Sequence, residues 1–237
     1  MLLTLKKKPL YKKHKFVPAF GTFTPFDATL VPNTIALYDG DTLALDPINT
    51  WSDSSGNGNT LTLVNGPTLQ VAAINGHDAL RFDGINQYAQ SLTPVCLQPY
   101  IIYVVLKQIT WVNGAVMIDD GITNNISYFR NLVGTPQVRW SGSGNEVFSS
   151  QLIVNTYNIC TLLGNGNNSA LRIGLNSAIV TTPGWGTNTR NGITIAAKVN
   201  LANFHNCEIT YIIYRNVADP TFLQNNFINW LKTRFAI

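Results

Sequence analysis

The chain has 237 residues and a formal net charge of +4; 45% of its residues are hydrophobic and only 12% are charged. That balance is too apolar for a disordered chain, and no apolar run nears the ~18 residues a membrane-spanning helix needs. The charge is uneven: six Lys lie within the first sixteen residues, and the remaining ten Lys and Arg face twelve Asp and Glu, a net of −2.

The first element is therefore a basic arm. Lys6, Lys7, Lys8, Lys12, Lys13 and Lys15 stand with Tyr11 and Phe16, and a stretch rich in Phe, Gly and Pro follows to Phe26. The apolar residues Leu2–Leu5 precede the lysines, the reverse of a secretory signal. Residues 1–33 read as an extended anchor that docks on a protein partner. Neutralisation of phosphates by the same lysines is the other use such an arm has.

From residue 34 the sequence becomes a series of short β-like runs cut by Asn- and Gly-rich turns. Strands are expected at Thr34–Tyr38, Thr60–Val64, Ala79–Phe82, Tyr100–Lys107 and Gly114–Ile118. Further strands follow at Tyr128–Leu132, Gln137–Trp140, Glu146–Phe148, Tyr157–Leu163, Ala170–Leu175, Ile193–Ala197 and Glu208–Tyr214. Turns such as Asn65-Gly66 and Ser141-Gly142-Ser143-Gly144 suit the positive φ that tight hairpins need. A dozen strands at this spacing indicate one antiparallel sandwich or barrel over residues 34–237. At the C-terminus, Asp219 as cap, Pro220 in the first turn, and Leu223, Phe227, Trp230 and Leu231 at helical spacing predict a helix over residues 220–234.

Motifs of catalysis are absent from the text. There is no G-x-S-x-G, P-loop, H-E-x-x-H or G-x-G-x-x-G after a strand. His14, His77 and His205 are isolated, and Asp119-Asp120 reads as a turn before Gly121. Cys96, Cys160 and Cys207 are odd in number and widely spaced, as expected of buried free thiols. The sequons at Asn125 and Asn167 read as chance. No metal and no cofactor is expected.

Three spaced motifs carry a resemblance. Ala36-Leu37-Tyr38-Asp39 is followed by Trp51-Ser52-Asp53-Ser54-Ser55-Gly56-Asn57-Gly58-Asn59, and then by Ala79-Leu80-Arg81-Phe82-Asp83-Gly84 leading to Tyr88. In this order they resemble the opening of a concanavalin A-like (laminin G-like) jelly roll, and Glu208–Arg215 before a helix is similar to how such domains close. The motifs also have a structural logic of their own. Gly56 and Gly58 allow a tight loop, Asp53 bonds its backbone, Trp51 packs beneath it, and Phe82 points inward. These residues are not nominated as a site.

The resemblance implies an all-β sandwich with three possible uses. Hydrolases of this fold carry E-x-D-x-x-E on one strand, a pattern this chain lacks, and no enzymatic activity is expected. Calcium is common in such modules, but Asp39, Asp41, Asp46 and Asp53 lack a recognisable ligand spacing. Sugar binding needs an exposed aromatic and polar partners. Trp185, between two glycines, and Trp140 are the candidate rings, and Asn188 and Arg190 the candidate hydrogen-bonding partners. Similar sandwiches serve bacterial viruses as surface modules held by an N-terminal arm. The leading expectation is accordingly a non-enzymatic virion protein, such as a capsid decoration, head-fibre or tail-associated protein, repeated in the particle and touching host glycans. The alternatives are a carbohydrate-binding module of a bacterial surface or secreted system, and a glycan-cleaving enzyme.

Overall fold

The computed structural model of the chain describes residues 27, 31–43, 49–121, 127–133, 136–142, 145–175, 180–181 and 189–237, with backbone alone at 127, 145–146 and 180–181. Two antiparallel sheets face each other. In chain order the strands are β1 (Thr34–Asp39), β2 (Thr50–Trp51), β3 (Leu61–Val64), β4 (Thr68–Ile74), β5 (His77–Asp83), β6 (Tyr88–Cys96), β7 (Tyr100–Gln108) and β8 (Val116–Asp119). They continue as β9 (Ser127–Asn131), β10 (Val138–Gly142), β11 (Asn145–Ser149), β12 (Tyr157–Gly164), β13 (Ala170–Ile173), β14 (Val180–Thr181), β15 (Arg190–Ile195) and β16 (Asn206–Arg215). Among the described residues one α-helix, α1 (Thr221–Phe235), follows β16.

The first sheet runs β14-β13-β12-β7-β16-β5-β4, with β1 pairing β16. β5 takes the Asn206–Ile209 end of β16 and β1 takes the Tyr211–Arg215 end. The second sheet runs β11-β10-β9-β8-β15-β6-β3-β2. Neighbours in both sheets are often far apart in sequence, as a jelly roll requires. The expected antiparallel sandwich is present, and the first strand among the described residues begins at Thr34.

Period-two alternation sorts the core into two layers. On β7, Ile102, Val104 and Leu106 pack between the sheets, while Ile101, Tyr103 and Val105 point the other way. The latter meet Phe227, Ile228, Leu231 and Phe235 of α1. The first sheet is thus covered on both faces, which is why β7 and β16 read as nearly unbroken apolar runs. Tyr103 and Phe227 stack with centroids 4.5 Å apart.

The turns follow the sequence. Asn75 and Gly76, at φ +47 and +87, close the β4–β5 hairpin with the consecutive positive φ values of a two-residue turn. Asp53 Oδ1 accepts from the backbone N–H of Leu37 and Ser55, and its Oδ2 from that of Asn59, each at 2.9 Å. Trp51 is buried beneath this loop and donates from Nε1 to Asp39 O.

Two expectations are corrected. β2, β4 and β14 are absent from the expected strands, and of β6 only its start at Tyr88 was marked; β4 is an edge strand with a register shift and with Ala72 at φ +51, so its burial lacks a clean alternation. Asp219 does not cap α1. Its carboxylate accepts from Arg215 and from the Tyr103 hydroxyl, and Pro220 occupies the cap position. The basic arm's Lys6, Lys7, Lys8, Tyr11, Lys12, Lys13, Lys15 and Phe16 lie outside the described residues. Among the described residues no helix is long and apolar enough to cross a membrane.

Candidate functional site

Among the described residues the second sheet has no helix on its outer face, and polar side chains gather there. On β3, Leu61 and Leu63 turn into the core, so the alternating Thr60, Thr62 and Val64 turn out. On β6, Ala89 turns in and Tyr88 and Gln90 turn out. Thr62 faces Gln90 across β3–β6, and Gln90 faces Thr194 across β6–β15. Here lies a groove of about 400 Å³, lined by Gly58, Thr60, Thr62 and Val64 and by Gln90, Ser91, Leu92 and Thr93.

Its polar atoms are held in place. Gln90 Nε2 donates to Gly121 O at 3.1 Å and to Thr194 Oγ1 at 3.2 Å. That fixes the amide and leaves Oε1 without a partner among the described residues. Thr93 Oγ1 donates to Asn59 Oδ1 at 2.9 Å, and Asn59 is itself held by Asp53. The loop read as scaffold therefore also braces one wall of the groove. The hydroxyls of Thr60 and Thr62 make no hydrogen bond to another described residue, and both residues are exposed. At the end of the groove, Tyr88 is tilted against Phe204 with centroids 6.4 Å apart. Behind it, β15 bulges at Gly192, whose φ is +78. A Cβ there would sit 2.5 Å from Ser91 O.

A second polar corner occupies the other end of the same face. In β9–β10–β11, Phe129, Val138, Trp140 and Val147 turn into the core. Tyr128, Arg130, Arg139 and Phe148 alternate with them and turn out. Arg130 and Arg139 face each other in register, and Arg139 faces Phe148. Both guanidinium groups lie over the Tyr128 ring, at 5.1 and 5.6 Å, and Arg139 Nη2 donates to Tyr128 Oη at 3.1 Å. Phe148 is 40% exposed.

The structure redistributes the residues that sequence had nominated. Trp140 and Arg190 are both 0% exposed. Trp140 is a core ring, and the Arg190 guanidinium lies 5.4 Å above it and donates to Asp119 O. Neither can meet a sugar at the surface, which corrects that expectation. Trp185 and Asn188 lie outside the described residues. The exposed ring on the β10–β11 hairpin is Phe148, one register step from Trp140. The signal was present: alternation of Val138, Trp140 and Val147 as core residues places Arg139 and Phe148 outside.

Glu208 and Asp119 are each tied into the scaffold. Burial works to raise the Glu208 carboxyl pKa, but hydrogen bonds from Lys107, Tyr157 and Arg81 and the charge of Lys107 outweigh it and hold it below the ordinary range. Asp119 is buried and accepts from the N–H of Asp120 and Val199; burial raises its carboxyl pKa. The three cysteines are buried and free, as expected. Among the described residues no three His, Cys, Asp or Glu side chains converge as a metal site. A cleft of about 230 Å³ between α1 and the β12–β13 region is lined by Tyr157, Asn158 and Lys232 among others. Its Asn158 amide and Tyr157 hydroxyl are spent on Ile153, Thr156 and Glu208.

No protein-family model matches the chain, and no curated protein matches it. Solved structures do. Domain 4 of an extracellular arabinanase from Geobacillus stearothermophilus, in complex with arabinotriose, is similar with a TM-score of 0.59 at 14% identity. That match covers 83% of this chain and 98% of the domain. Trypanosoma rangeli sialidase in complex with sialic acid gives a TM-score of 0.62 at 8% identity, over 88% of this chain and 34% of the sialidase. A type C botulinum neurotoxin structure, described as interacting with two ganglioside molecules, gives 0.61 at 14% identity, over 84% of this chain and 51% of that one. The chain thus spans about a third of the sialidase and about half of the neurotoxin chain, but a whole domain of the arabinanase. At these identities the likeness shows the fold, an antiparallel β-sandwich jelly roll.

Proposed function

We propose that this chain is a non-enzymatic carbohydrate-binding module that holds sugar chains on the open face of its second sheet. The observation that carries this reading is the groove over β3 and β6. It offers free Thr60 and Thr62 hydroxyls, a Gln90 amide fixed from behind, and an aromatic pair at one end. Hydroxyls and amides both give and accept hydrogen bonds, which matches the mixed donor and acceptor character of sugar hydroxyls. The likeness to a whole arabinanase domain in complex with arabinotriose supports the same reading.

Binding without hydrolysis is supported by where the carboxylates are. Glycoside hydrolysis needs two carboxyl groups ~5–10 Å apart across the bond. No Asp or Glu is among the groove's lining residues, and Glu208 is tied to Lys107, Arg81 and Tyr157 elsewhere.

A glycan array probed with the full chain tests this. Binding to at least one oligosaccharide class is expected, with a loss of about tenfold per lost hydrogen bond in Gln90→Ala and Thr62→Val. A fold-stable protein that binds no glycan, or whose binding ignores both substitutions, ends the proposal. The virion reading rests on the basic arm of the sequence and makes a separate prediction. Deleting residues 1–26 would abolish incorporation into a particle, whereas glycan affinity carried by the sandwich survives the deletion.

A further inference from the structure

Beyond the groove, strand β6 changes character. Its next exposed apolar side chains are Leu92, Val95 and Leu97, which are 57%, 52% and 55% exposed. From Ser91 to Pro99 the sequence holds no charged residue. Register explains why these three side chains point outward. Ser91 pairs with Ile193 and Val95 with Asn191, so Leu92, Thr93 and Pro94 stand opposite the single Gly192. Such an irregularity re-aims side chains, and Leu92 joins the groove wall. Cys96 turns into the core, so Val95 and Leu97 on either side of it turn out. We infer that this strip seats an apolar aglycone: the ligand is a glycolipid, its sugars in the Gln90 groove and the first part of its alkyl chain along Leu92, Val95 and Leu97. The inference rests on the glycan-binding reading above and names the class of glycan that the same site prefers.

The geometry favours one chain over a broad partner. The groove runs between β3 and β6, and Thr93 is the last β6 residue that lines it. Leu97 lies farther along the same strand direction, about 13 Å beyond Thr93 at the rise of a strand. A ligand laid along the groove therefore leaves it directly onto Val95 and Leu97. The strip is narrow. Across β6–β15 Val95 faces the polar Asn191, and at the groove end Thr93 is bonded to Asn59. Three aliphatic side chains in single file fall well short of the ~800 Å² per partner that a stable protein interface buries. They do match one extended alkyl chain, which gains free energy in proportion to the apolar area it removes from water. The lack of charge suits the same occupant, because an alkyl chain strips water from a charge and gives no partner in return.

The test is an array on which every glycan is printed twice, through an ethylene-glycol spacer and through an alkyl spacer, beside alkyl spots that carry no sugar. The full-length protein is compared with Val95→Thr and Leu97→Gln, alone and together. Recognised glycans are expected to bind at least tenfold more tightly on the alkyl spacer, the worth of about two buried methylenes. That advantage should persist at high ionic strength and vanish in the double variant, which still binds the ethylene-glycol form. Thr62→Val, in the groove, should weaken both forms alike while keeping the ratio between them. Equal binding on the two spacers, or an alkyl advantage that survives both substitutions, overturns the inference and leaves the glycan-binding reading standing. So does binding to sugar-free alkyl spots as strong as to alkyl-linked glycans. A double variant that changes its sedimentation but keeps the alkyl advantage also overturns it, and makes the strip a contact between copies. Absence of all binding overturns both readings. Both positions are more than half exposed, where substitutions change stability little, and thermal melts near that of the wild type show that a lost preference is not a lost fold.

Discussion

His205 is a neutral histidine in the core. It is fully buried, 3.4 Å from Asn131 Nδ2, and burial lowers its pKa to about 3. The unfolded chain returns it to ~6.5. Between those values the unfolded state holds a proton that the folded state does not, so stability falls as pH drops below ~6.5, by up to about 1.4 kcal/mol per unit. Glu208, whose folded pKa is depressed, adds loss of the same sign only below its unfolded value of ~4.3. In urea melts between pH 7 and 5, His205→Gln should therefore show a flatter dependence on pH than the wild type. Equal slopes would contradict the burial. Gly192 supplies a second case at the residue scale. An added Cβ meets Ser91 O at 2.5 Å, and φ is +78. Gly192→Ala should cost on the order of 2 kcal/mol or more and weaken any ligand held by neighbouring Gln90, as denaturation and array measurements would show.

At the scale of elements, α1 was legible because its apolar spacing survives in one contiguous segment. Leu231 and Phe227 are buried on the first sheet as that spacing requires. Leu231→Asp places an unpaired charge in that layer and should destabilise by several kcal/mol, measured by chemical denaturation. The start of the helix was misread because sequence shows Asp219 before Pro220 but not Arg215 and Tyr103, which claim its carboxylate. Arg215 and Asp219 are buried, with Nε–Oδ2 at 2.7 Å. Asp219→Asn would leave the guanidinium uncompensated and should cost about 3–5 kcal/mol. Trp140 illustrates the same gap for strands. Its type suggested a sugar platform, but register decides exposure, and register became visible only with Val138 and Val147 as its core companions.

At the scale of the molecule, the sandwich could be read from turn spacing and from three ordered motifs, since those signals are local. The candidate site could not, because sheet order assembles it. Thr62, Gln90 and Thr194 come from β3, β6 and β15. Among the described residues α1 covers the first sheet and no helix covers the second, and that asymmetry is why the proposed ligand is placed on the second. The most direct measurement is a chemical-shift titration of the labelled protein with the strongest array ligand. The account predicts perturbations concentrated at Thr60, Thr62, Gln90, Thr93 and Tyr88. Perturbations confined to the cleft near Tyr157 and Lys232, or to the first sheet, would contradict it.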